Sequence, residues 1–96
     1  MSDDPTPKEF WERADKVIAL ANELVKDSTV GKVSSSLLYA AARFNSFNVA
    51  TSVSSAEEME KDKEEAIRYF TEQYRKMLTE NLDDYIANYE SYGSRS

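Results

Sequence analysis

SSAEEMEKDKEEAIRYFTEQYRKMLTENLDDYIANY, running from Ser54 to Tyr89, is the stretch on which the fold turns. Met59, Ala66, Ile67, Phe70, Tyr74, Met77, Leu78, Leu82, Tyr85, Ile86 and Tyr89 recur with the period of an amphipathic helix. No Gly or Pro interrupts them before Gly93. Ser54 with Glu57 and Ser55 with Glu58 form two overlapping capping boxes, so the spacing predicts a helix from Ala56 to about residue 90. Such a helix is about 50 Å long at 1.5 Å per residue. Two outcomes suit that length. The helix breaks near Asn81, where Asn81 and Asp84 cap a new one, or it overhangs and its end needs a partner surface for Leu82, Tyr85, Ile86 and Tyr89.

Two shorter helices precede it, each about 30 Å long by the same rule. Thr6-Pro7-Lys8-Glu9 supplies a cap, a proline suited to the first helical position and a returning carboxylate. Phe10, Trp11, Ala14, Val17, Ile18, Ala21, Leu24 and Val25 then form one apolar stripe, giving a helix over about 7–26. After Asp27 to Lys32, with Ser28 or Thr29 as cap, a second helix runs over about 30–51. It holds no acidic residue, and it is apolar on more than one side through Val33, Leu37, Leu38, Ala41, Ala42, Phe44, Phe47 and Val49. That pattern reads as a central helix packed between the other two. The expected fold class is all-α, an antiparallel bundle of three helices with a short fourth as the alternative. Residues 1–6 are expected to be a disordered tail, 7–91 a single domain and 92–96 a frayed end.

Composition excludes much chemistry. The 96 residues hold 12 basic and 18 acidic side chains, a net charge of −6, with no His and no Cys. Zinc fingers, imidazole bases, thiolate nucleophiles and disulfides are therefore out. The negative charge argues against nucleic acid. The N-terminus lacks the pattern of a signal peptide and the longest apolar run, Leu37 to Ala42, is too short to span a bilayer, so a cytoplasmic location with no membrane contact is expected.

The remaining candidates are few. Glu57, Glu60 and Glu64 share a helix face, but Lys61 and Lys63 interleave with the carboxylates, and a solvated face with a Glu64–Arg68 pair is the favoured reading. Asp83 and Asp84 point about 100° apart on a helix and cannot share one substrate. No metal, cofactor or catalytic residue is expected. Arg43 is the only charge between Lys32 and Glu57, with Tyr39 one turn away. An inter-helix ion pair is the favoured role; the alternative is a site for a small anion or metabolite formed by Tyr39, Arg43, Asn45 and Asn48. Tyr85, Tyr89 and Tyr92 line one face, either closing the core or meeting a partner. Trp11 reads as core, and Tyr69 as part-exposed.

Gly31-Lys32-Val33-Ser34-Ser35-Ser36-Leu37-Leu38-Tyr39-Ala40-Ala41-Ala42-Arg43-Phe44-Asn45 resembles the central motif of a family of short bacterial proteins, domain of unknown function 3144, found mostly in gammaproteobacteria. Phe10-Trp11-Glu12-Arg13-Ala14-Asp15, Ser55-Ala56-Glu57-Glu58-Met59 and Leu82-Asp83-Asp84-Tyr85-Ile86 are similar to other parts of it. The likeness covers about Phe10 to Tyr89. It implies a small bacterial cytoplasmic helical protein and brings no activity with it.

The functional expectation is an interaction or oligomerisation module, using the C-terminal part of the third helix for a protein partner or a second copy. A metabolite-binding bundle ranks second and a carboxylate-only enzyme third. Charge divides along the chain: residues 1–55 carry a net −1 and residues 56–96 a net −5, so the third helix holds nearly all the surplus.

Overall fold

The computed structural model of the chain describes residues 7–93, with side chains through Ser91. Four helices follow in order: α1 (Pro7–Val25), α2 (Val30–Thr51), α3 (Ala56–Ala87) and α4 (Tyr89–Gly93). No strand occurs among the described residues. The fold class is all-α, built on three long helices. The chain divides into two compact units, Met1–Asn48 and Val49–Ser96, so the boundary falls inside α2.

In the first unit, Glu9 lies in the first turn of α1, where a carboxylate suits the helix dipole. The capping role read for Thr6 lies outside the described residues. The helix ends in tightened turns: the amides of Lys26, Asp27 and Ser28 donate to the carbonyls of Glu23, Leu24 and Val25 at 3.2, 3.3 and 3.0 Å. Thr29, rather than Ser28, caps α2. Its Oγ1 accepts from the amide of Lys32 at 3.1 Å and its carbonyl accepts from Val33 at 3.0 Å. Within α2, Ser46 Oγ donates to the Ala42 carbonyl at 2.9 Å, so this weak helix former satisfies its hydroxyl on its own helix.

The second unit contains the end of α2 and all of α3 and α4. Ser52 Oγ donates to the Val49 carbonyl at 2.7 Å as α2 stops. Ser55 then caps α3 from an extended conformation (φ −157°, ψ 161°), its Oγ accepting from the Glu58 amide at 3.1 Å. The Glu58 carboxylate reaches back to the amide of Ser54 at 2.9 Å. Of the two overlapping boxes, the Ser55–Glu58 one forms. Its return bond reaches one residue beyond the cap.

Of the two outcomes weighed for the length of this helix, the break near Asn81 does not occur. Asn81 Nδ2 donates backward to the Met77 carbonyl at 2.8 Å, a bond that leaves the helix running. The interruption comes one residue past Ala87, at Asn88 (φ −119°, ψ 28°), and the backbone amide of Asn88 donates to the Asp84 carbonyl at 3.0 Å. Its side-chain Nδ2 donates to that carbonyl and to Asp84 Oδ1, both at 3.0 Å. The third helix therefore ends at Ala87 rather than about residue 90, and a five-residue α4 carries the backbone to Gly93. Apart from the helical backbone of residues 92 and 93, the end expected to fray over 92–96 lies outside the described residues, as does the tail expected over 1–6.

Among the described residues none is fully buried. Partial cover falls on one line of α1 (Ala14, Ala21 and Val25) and one line of α3 (Met59, Ala66 and Phe70), whereas on α2 it is divided between Val33 and, more than 100° round the helix, Asn45 and Val49. Two expectations change. Trp11 is 60% exposed and stacks edge-on against Phe10, ring centres 4.8 Å apart, instead of sitting in a core. α2 is not buried on several sides: Leu38, Tyr39, Phe44 and Phe47 are all exposed, the two phenylalanine rings meeting at 5.8 Å. Apolar periodicity reports which faces want cover, not what supplies it. The Glu64–Arg68 pair does not form either. Both side chains are exposed, and an ion pair one turn apart in water gains only a few tenths of a kcal/mol against the entropy of fixing two long chains.

The Ser55 cap makes a direct prediction. Ser55→Ala removes the acceptor for the Glu58 amide and should cost about 1 kcal/mol, a fall in melting temperature of roughly 4–8 °C for a chain this size. Ser54→Ala should leave the melt unchanged, because Ser54 contributes only its backbone amide.

Candidate functional site

α3 carries two apolar lines. At 3.6 residues per turn, Met59, Ala66 and Phe70 fall on one line, which is the half-buried one. Ile67, Tyr74, Leu78 and Tyr85 fall on a second, about 80° round the helix. Every residue of the second line is exposed: Tyr74 at 49%, Leu78 at 42% and Tyr85 at 53%. Leu82 and Ile86 flank it, Ile86 at 72%, and Tyr89 at 69% extends it beyond the Asn88 cap. From Thr71 to Ser91 every residue is exposed.

The interface candidates read from sequence, Leu82, Tyr85, Ile86 and Tyr89, therefore all present exposed apolar surface at the C-terminal end of the unit. The side chain of Tyr92 is not described. The same face extends further toward the N-terminus than that reading, through Leu78 and Tyr74 to Ile67. The signal that finds these residues is the spacing of seven, four and seven along the second line. Tyr69 is exposed as expected and packs edge-on against Phe70 at 5.2 Å.

The second candidate set lies on α2 and does not converge. Tyr39 and Arg43 share a face, both exposed. Asn48 projects from the opposite side of the helix, and Asn45 from a side some 120° or more from both. No described acidic residue of its own unit pairs with Arg43, so the ion pair favoured from sequence is not seen there. Among the described residues no acidic cluster is arranged to hold a metal ion, and Glu57, Glu60 and Glu64 are each exposed. No helix among them is long and apolar enough to cross a membrane.

Residues 10–86 match the model of a family described as a protein of unknown function, DUF3144. The chain belongs to that family. The match takes in α1, α2 and nearly all of α3, including Ile67, Tyr74, Leu78 and Tyr85. Among solved structures, the chain is similar to the NMR structure of the protein NB7890A from Shewanella sp. The two are 33% identical, 99% of each chain is covered, and the TM-score is 0.75. None of the curated proteins compared matches the chain.

Arg43 supplies the check on this placement. An exposed cation with no ion pair in its own unit should be replaceable. Arg43→Ala is expected to change stability by no more than about 0.5 kcal/mol. A loss several times larger in thermal or urea unfolding would restore the structural ion pair.

Proposed function

We propose that this protein is a small cytoplasmic interaction or oligomerisation module that docks through the C-terminal half of α3. One observation carries the reading: Tyr74, Leu78, Leu82, Tyr85, Ile86 and Tyr89 form a continuous apolar face that is between 42% and 72% exposed along its whole length. Scattered exposed hydrophobics are ordinary, but a contiguous strip of this size is characteristic of a contact surface. Its chemistry also fits. Tyrosine buries a large rigid ring while its hydroxyl keeps a polar partner, which is why it is enriched where proteins meet. The acidic residues of the same segment, Glu80, Asp83, Asp84 and Glu90, keep the rest of the helix solvated. The absence of His and Cys from the chain removes the commonest catalytic devices. The metabolite reading is weaker, because its residues lie on different sides of α2.

Replacing Leu82 and Ile86 by Glu separates a docking face from an internal one. The double variant should keep the helical circular dichroism and lose the assembly that the wild type forms, weakening it about tenfold or more. If the variant instead unfolds as a monomer, the face belongs to the chain's own core and the reading fails.

A further inference from the structure

We draw no further inference here: the strongest candidate, the exposed apolar line of α3 through Ile67, Tyr74, Leu78 and Tyr85, carries nothing beyond the docking reading, because apolar side chains are exposed on α1 and α2 as well and nothing in the structure shows what covers it.

Discussion

A long amphipathic helix in water has to hide its apolar side, and this requirement governs everything else about the molecule. Backbone hydrogen bonds are satisfied locally, and caps at Thr29, Ser55 and Asn88 settle where the helices begin and end. Neither supplies the main driving force for a stable helical protein, which is the removal of apolar surface from water. α3 sets the problem in its sharpest form. Its first half has one line of partly covered side chains, Met59, Ala66 and Phe70. From Ile67 onward it turns a different and about half-exposed line outward. Each such side chain left half in water forgoes on the order of 2 kcal/mol at 25 cal/mol per Å².

Charge works alongside this requirement. The net −5 of residues 56–96 looks at first like a means of staying soluble. Along α3 it is unevenly spread: five bases stand among seven acids before Leu78, and only acids follow it. The tyrosines add to this. They are large enough to make a dry contact and polar enough to stand in water before that contact forms.

Much of the fold was legible in the sequence, for identifiable reasons. The all-α class, the three long helices and the Ser55–Glu58 box follow from periodicity and capping chemistry, both of which act over a few residues. The place where α3 stops was less legible. Asn81 and Asn88 lie seven residues apart and both send Nδ2 back four residues to a carbonyl. Only Asn88 departs from helical geometry, and nothing in the residue type announces which of the two does so. The exposed state of Trp11, Phe44 and Phe47 was not legible at all, since a stripe records the need for cover and is silent on its source. For the candidate site, Leu82, Tyr85, Ile86 and Tyr89 were singled out from the length of the helix. Its extension to Ile67 emerges once helix continuity through Asn81 places the earlier residues on the same line.

The measurement closest to the centre of this account is hydroxyl-radical footprinting of the wild-type chain across a wide concentration range, read at Tyr74, Leu78 and Tyr85. If the second line of α3 is a docking surface filled by another copy, all three are reactive in dilute solution. They become protected together as concentration rises, while Trp11 on α1 serves as an internal reference. Strong protection that is already complete in dilute solution and independent of concentration would contradict the account, because the cover would then come from the chain itself.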